Sequence, residues 1–352
     1  MDASVIVVNW RQPELTVRCL HSLIGQDSQW SFEVVLVENE ARPGAVDIFR
    51  RTFPDLVVVE ESTNAGFAGG VRRGIEASTG DVVVLLNNDA VAEPGFLDAG
   101  LRALRDGGET VAAASATVTL EGRFVPSGSR GGRALVDGEG VAWRRSDDAD
   151  AVTLMNGTGI ELGPDGNGRD RDWLRPVDLV ADPGGRPFGF SGGAAFLRRS
   201  ALAAVGGFDE SLFMYYEDLD VSWRLRLAGQ EIVHAASARA VHRHAASSDD
   251  DGVLVRRQSM RNRLLVVLRN GSWGFVLRVV LRTLARLLID LVRPDTALLT
   301  RRDWAAVSRG LVTASRSAVV ARRRSGVSRA DRLRVERSLS SSDAAPSSGD
   351  VA

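Results

Sequence analysis

The apolar positions of this chain fall first into short unbroken runs and later into helical stripes. Ser4-Val-Ile-Val-Val8, Phe32 to Val37, Leu56 to Val59 and Val82-Val-Val-Leu-Leu86 lack the polar alternation of a half-exposed strand. They read as strands buried on both faces, as in a parallel sheet. Between them the spacing lengthens to three and four. Pro13 and Glu14 open a stripe of Leu15, Val17, Cys19, Leu20, Leu23 and Ile24; a second helix is expected near 43–52, and a third after Gly66, Gly69 and Gly70. This alternation predicts an α/β fold of βαβ units, a mostly parallel Rossmann-like sheet flanked by helices. Residues 107–187, rich in Gly, Asp and Arg, show no clear period, and only irregular strands and loops are expected there. Pattern returns with a strand at 194–197 and a helix opening near Glu217, whose apolar positions include Leu219, Trp223 and Leu227. Gly229 is placed to end that helix, and a strand follows at 231–234.

A helical pattern then runs through about 253–292. Arg278, Arg282, Arg286 and Arg293 share one stripe, with Val280, Leu281, Leu284, Leu287, Leu288 and Leu291 opposite; Phe275 and Ile289 break the division. A wide apolar face against an Arg stripe suits a helix lying in a membrane interface. Packing on the domain or on a partner helix, with Arg outward, is the other reading. Charge sharpens the contrast with the rest of the chain. The formal charge of -1 over 352 residues hides 20 Arg against 8 acidic residues in 251–352, and the acidic excess lies before it. The expected organisation is a globular domain over 1–250, a basic amphipathic helical extension over 251–337, and a disordered tail over 338–352, rich in Ser, Asp and Ala. The single cysteine, Cys19, excludes an internal disulfide and a Cys-built zinc site, and fits a reducing compartment. Neither a signal peptide nor a spanning helix is expected from the pattern.

The candidate chemistry sits where strands end. Leu85-Leu86-Asn87-Asn88-Asp89 closes a buried run with two carboxamides and a carboxylate. In open α/β sheets ligands bind at that end, and a carboxylate there can hold a hard divalent cation against a phosphate. Asx residues also turn chains and cap helices, so both readings stand. The Gly-rich segment from Asn64 to Gly74 suits either close approach of backbone to a phosphate at a helix N-terminus or close helix packing. It is no P-loop, since the chain has no Lys. Gly189-Phe-Ser-Gly-Gly193 matches the G-x-S-x-G pattern in letters only, because a strand rather than a helix follows it. Glu217, Asp218 and Asp220 either answer the helix dipole or, crowded beside aromatic residues, serve as a general base. His234, His242 and His244 fall within eleven residues, and His-x-His after a strand can ligate metal.

Taken in order, Val7-Val8-Asn9-Trp10, Val37-Glu38-Asn39, Asn64-x-Gly-Phe-Ala-Gly-Gly, Leu85 to Asp89, Gly206-Gly-Phe-Asp-Glu210, Glu217-Asp-x-Asp-x-x-Trp-Arg224 and His242-x-His-x-x-Ser247 resemble glycosyltransferase family 2, in its rhamnosyltransferase-like branch, over about residues 3–270. The resemblance implies a GT-A fold. It places Asn9, Glu38, Asn64, Gly66 and Asn88 at the nucleotide sugar. Glu38 replaces the usual Asp, and Arg72 stands where Asn is common and could meet a phosphate. It implies Mg²⁺ or Mn²⁺ held by Asp89 and His242, with His244 the alternative, and Asn87 in place of the motif's first acid. Asp218 matches the proposed catalytic base, with Glu217 beside it, and Gly192, Gly193, Asp209 and Trp223 are expected around the acceptor. The implied function is inverting transfer of a sugar, with rhamnose a candidate, from a dTDP- or UDP-linked donor to a cell-surface glycan or lipid-linked acceptor. The enzyme is expected in the cytoplasm, peripheral on the inner face of the membrane through its C-terminal helix, with no nucleic-acid partner. A sugar-phosphate nucleotidyltransferase and a catalytically silent scaffold of the same fold are the rival readings.

Overall fold

The structure is a computed structural model that describes residues 1–128, 134–180, 186–243 and 252–342. The unbroken apolar runs form β1 (Ala3–Asn9), β2 (Phe32–Asn39), β3 (Val57–Glu61) and β4 (Val82–Leu86), with α1 (Pro13–Ile24), α2 (Asp47–Thr52) and α3 (Gly66–Glu76) between them. These four strands lie in the order β3-β2-β1-β4 and are all parallel. Their carboxyl ends therefore share one edge of the sheet, where Asn9, Glu38, Asn39 and Asn87 emerge. A short β5 (Ala90–Ala92) and α4 (Phe96–Asp106) follow.

Beyond β4 the sheet is mixed, and its strands come from the unpatterned middle and from the segments after it. β6 (Val111–Leu120) is buried at all ten positions. Its Val-Ala-Ala-Ala-Ser-Ala-Thr-Val-Thr-Leu sequence is mostly small, because α4 packs on it and strands flank it on both sides. β7 (Phe124–Ser127), β8 (Leu135–Val136) and β9 (Ala142–Arg145) make a separate small sheet. β10 (Met155–Gly157) lies antiparallel on the end of β6, and β11 (Ile160–Leu162) pairs with β12 (Gly168–Asp170) in a hairpin. β13 (Ala194–Arg198), α5 (Arg199–Ala204), α6 (Glu217–Leu227) and β14 (Glu231–His242) complete this part. The main sheet thus runs β3-β2-β1-β4-β13-β6-β14-β5, with β10 beside β6. One apolar cluster, including Leu20, Phe49, Phe96 and Phe196, covers one face; another, including Val71, Phe190, Leu202 and Val221, covers the other.

The long C-terminal pattern is two helices, not one: α7 (Gly252–Asn270) and α8 (Trp273–Val292), followed by α9 (Arg301–Arg324) and α10 (Arg329–Ser342). Ser272 makes the break. Its Oγ accepts from the Phe275 amide at 3.2 Å and starts a new helix. Leu265, Val266 and Val267 of α7, Phe275, Val276 and Val279 of α8, and Val335 of α10 form one core with Leu219, Trp223 and Leu227 of α6. Helices α7, α8 and α10 are therefore packed onto α6. Residues 338–342 of the expected tail end α10; residues 343–352 and His244 lie outside the described residues.

The apolar face read from the sequence on α8 is split in the structure. Phe275, Val276, Val279, Thr283 and Asp290 are buried, while Trp273, Leu277, Leu281, Leu284, Leu288 and Val292 stand 49–77% exposed. Arg278, Arg282 and Arg293 are also exposed beside them. Among the described residues no helix is long and apolar enough to cross a membrane.

Candidate active site

Two registers bring distant residues together at the sheet edge. β5 begins one residue after Asp89 and pairs antiparallel with the end of β14, matching Ala90 with His242. This sets His242 Nε2 2.9 Å from Asp89 Oδ1, across 153 positions of chain, with both side chains under one-fifth exposed. The other imidazole nitrogen, Nδ1, is 2.8 Å from Asn156 Oδ1 on β10, so the ring is held on both sides. The second register is that of β13 against β4, with Ala194 opposite Leu86. It places the turn before β13 against the metal-type motif, and Gly193 O accepts from the Asn87 amide at 2.9 Å. The preceding Gly192 amide donates to Asp218 Oδ2 at 2.9 Å, and Leu219 N–H donates to Oδ1 at 2.7 Å. Gly192 and Gly193 thus tie Asn87 to Asp218 through backbone.

The three acids of α6 have different fates. Asp220 is fully buried between Arg224, Arg269 and Asn270, at 2.8–3.0 Å, and is held below its ordinary pKa by them against burial; it is a structural group. Glu217 is buried with Oε2 lacking a partner, and burial first, then the charge of Asp218, push its pKa well above the ordinary value. A carboxyl so placed holds its proton more tightly than an ordinary one. Asp218 is partly exposed, and burial raises its pKa while the Gly192 and Leu219 amides pull it back. A reachable carboxylate of raised pKa is suited to take a proton.

The loop leading into α6 is strained. Phe213, Tyr215 and Tyr216 have φ of 63°, 66° and 73°, a region non-glycine residues enter at a cost. Asn262 of α7 holds the loop, donating from Nδ2 to the carbonyls of Leu212, Met214 and Tyr215 at 2.7, 2.9 and 2.8 Å. Phe213 O in turn accepts from the Ala68 amide at 3.0 Å and lies against Gly66, where a Cβ would collide with it. Gly70 and Gly74 likewise admit Val8 and Ile6 side chains. Here close packing, rather than approach to a phosphate, accounts for these glycines.

At the ends of β1 and β2 the polar groups form a closed network. Asn9 Nδ2 donates to Glu38 Oε2 at 2.6 Å, and Asn9 Oδ1 accepts from Thr16 Oγ1 at 2.7 Å and Asn88 Nδ2 at 3.2 Å. Burial raises the Glu38 pKa, and the Asn9 amide opposes it. Asn39 donates to Asn64 Oδ1 at 3.1 Å and to Gly66 O at 3.0 Å, and it accepts from the Ala65 amide at 2.9 Å. Asn156, Thr16 and Asn39 were absent from the residues singled out by sequence, although Asn39 stood in a quoted motif.

Three expected residues fall elsewhere. Arg72 is half exposed and paired with Glu76 at 2.8 Å and Glu210 at 2.6 Å, so a phosphate role would require it to leave both. Trp223 is wholly buried between Phe188 and Phe275 and cannot touch an acceptor. Asp209 caps the turn at 210–212 through the Ser211 amide and pairs with Arg269 at 3.1 Å.

Among the described residues no group of three His, Cys, Asp or Glu side chains is gathered as a metal cage. The Asp89–His242 pair nevertheless fits a hexacoordinate cation shared with substrate. Adjacent ligands about 2.1 Å from an octahedral ion stand about 3 Å apart, and Mg²⁺ commonly takes one or two carboxylates with phosphates and water.

Sequence comparison points to the family. The model for glycosyl transferase family 2 matches residues 4–140, and that for glycosyl transferase family group 2 matches residues 171–312. Together the two matches mark the chain as a glycosyltransferase family 2-like protein. It is 29% identical over 269 residues to N-acetylglucosaminyl-diphospho-decaprenol L-rhamnosyltransferase of Mycobacterium tuberculosis, covering 71% of this chain and 79% of that protein. It is 24% identical over 259 residues to the O-antigen biosynthesis protein RfbC of Myxococcus xanthus, covering 71% of this chain but 18% of that one. Similar folds occur in GalNAc-T7 with UDP, GalNAc and Mn²⁺ (TM-score 0.55, 14% identity, 78% of this chain and 49% of that one). They occur also in Staphylococcus aureus TarS 1–349 with UDP-GlcNAc (0.51, 16%, 97% and 91%) and in the mannosyltransferase PcManGT of Pyrobaculum calidifontis with GDP-Man and Mn²⁺ (0.50, 16%, 94% and 86%). The family 2-like enzyme therefore has the GT-A fold, a curled central sheet flanked by helices, and it is a glycosyltransferase resembling rhamnosyltransferases.

Proposed function

We propose that this glycosyltransferase moves a sugar, rhamnose foremost, from a dTDP- or UDP-linked donor to a lipid-linked or cell-surface glycan with inversion at the anomeric carbon. The observation that carries this reading is Asp218, a partly exposed carboxylate of raised pKa, tied through Gly192 and Gly193 to the motif holding Asp89 and His242. The likeness to a rhamnosyltransferase whose name specifies a diphospho-decaprenol acceptor supports the donor and acceptor classes.

The acceptor hydroxyl lies within reach of Asp218 and gives up its proton there as its oxygen attacks the anomeric carbon. The bond from that carbon to the diphosphate breaks as the new one forms, and the electron pair leaves with the nucleotide. No covalent enzyme intermediate is needed. Glu38, Asn9 and Asn88 hold the nucleotide side, and the Gly192–Gly193 turn keeps base and leaving-group site in fixed relation, which supplies orientation. Asp89 and His242 would hold Mg²⁺ or Mn²⁺, whose positive charge neutralises the departing diphosphate. The exposed apolar stripe of α8, with Arg278, Arg282 and Arg293 beside it, would seat the enzyme on the anionic cytoplasmic leaflet, where a lipid-linked acceptor lies.

Calorimetric titration with dTDP and UDP, each with and without Mn²⁺, on wild type and Asp89→Ala, tests the site. Metal-dependent binding lost in the variant is expected; binding by neither nucleotide would sink the reading. Flotation with anionic liposomes tests the surface. Replacing Leu277, Leu281, Leu284 and Leu288 by Gln should abolish flotation without unfolding, since these side chains are already exposed.

A further inference from the structure

Asp170 is a carboxylate that neither the family motifs nor the mechanism above employs. It ends β12, two positions after Gly168, and alternation along a strand puts both on one face. Gly168 packs against Leu219 in the first turn of α6, beside Asp218. The Asp170 side chain lies over Gly157, with Cγ 3.8 Å from where a Cβ would stand, and Gly157 follows Asn156, the partner of His242. The hairpin thus hangs Asp170 between Asp218 and the Asp89–His242 pair.

What this carboxylate lacks is as telling as where it stands. Among the described residues its carboxylate has no ion-pair or hydrogen-bond partner; the residue as a whole is exposed, but protein atoms surround the carboxyl group itself. Crowding by protein atoms first, then the charge of Asp218, push its pKa up to about 7, while His242 pulls it down. Two carboxyl groups facing one cleft do not attract a diphosphate but pair readily with hydroxyls, since a carboxylate accepts through several lone pairs and its protonated form can also donate. The partner that fits is a neutral polyol with hydroxyls on neighbouring carbons.

We propose that Asp170 binds the acceptor sugar, accepting from a hydroxyl adjacent to the one that Asp218 deprotonates. Gripping two positions of one ring fixes which hydroxyl attacks, so Asp170 sets regiochemistry as well as affinity. This inference rests on the transferase reading.

The test uses the full chain with dTDP-rhamnose as donor and N-acetylglucosaminyl diphosphate on a short alkyl chain as acceptor probe. Wild type, Asp170→Asn and Asp170→Ala are compared on the probe and on its mono-deoxy analogues. Asp170→Ala should raise the acceptor KM about tenfold to a hundredfold, as loss of a hydrogen bond to a charged group implies, with dTDP affinity and donor KM unchanged. One deoxy analogue should show the same penalty in wild type and no further loss in Asp170→Ala. Penalties that add for every analogue, a shift confined to donor KM, or loss of dTDP binding would each overturn the assignment. If wild type transfers nothing to the probe while binding dTDP, the acceptor reading itself fails, and this inference with it.

Discussion

The two walls of the cleft are built on opposite principles. On the wall at the ends of β1 and β2, Asn9, Thr16, Glu38, Asn39, Asn64 and Asn88 spend their polar atoms on one another. On the base wall, Glu217 has an oxygen without a partner, Asp218 is held only by two backbone amides, and Asp170 has no partner among the described residues. A satisfied network is rigid, and its one acid, Glu38, has the effect of burial opposed by the Asn9 amide, whereas crowded and under-satisfied carboxylates store the pKa shifts that proton transfer needs. The strained loop at Phe213–Tyr216 lies on the same side, so strain and unsatisfied charge are concentrated where bonds change.

Asp218→Asn is the largest break in this contrast. Turnover should fall about 10²–10⁴-fold, the usual worth of a positioned base, while dTDP affinity stays and urea unfolding shows no loss of stability. Full turnover in that variant would remove the proposed base. Asn9→Ala should behave in the opposite way. It strips partners from Glu38, Thr16 and Asn88, so unfolding free energy should drop about 1–3 kcal/mol and nucleotide affinity should weaken with it.

Glu217→Gln sharpens the comparison through pH. The folded state holds a proton on Glu217 well above its ordinary pKa of 4.5, so it binds more protons than the unfolded chain and its stability falls as pH rises above that value. Removing the titration should flatten the decline of melting temperature as pH rises above about 4.5; an unchanged slope would contradict a raised Glu217 pKa. The wild-type rate should meanwhile rise with pH through a midpoint above the usual aspartate range, because Asp218 must shed its proton first. Arg72→Ala is the smallest effect. Its charge is already paired at the surface with Glu76 and Glu210, and dTDP affinity should change less than about fivefold.

The parallel half of the sheet was legible because Val and Ile runs are what a strand buried on both faces requires. β6 was hidden by the same logic reversed: buried on both faces too, it needs Ala, Ser and Thr to fit between its close neighbours, and small residues carry no hydrophobic signal. The break after α7 hid as well, since Ser272 caps a helix inside a pattern that continues on both sides.

For the site, local pattern placed Asp89 at a strand end and Asp218 at a helix start, since these are written in nearby residues, while His242 stood beyond the strand expected at 231–234, which the structure extends to His242. Their meeting depended on register: β5 against β14 for one pair, β13 against β4 for the other, contacts bridging over a hundred positions. Tertiary structure alone separated three neighbouring acids into an Arg-paired Asp220, a buried Glu217 of raised pKa and a partly exposed Asp218. It also withdrew Trp223 into the core and brought Asn156 and Asp170 to the cleft. The physical reason is that protonation and partnership depend on burial and on charges from other elements, and neither is a property of the residue's own stretch of chain.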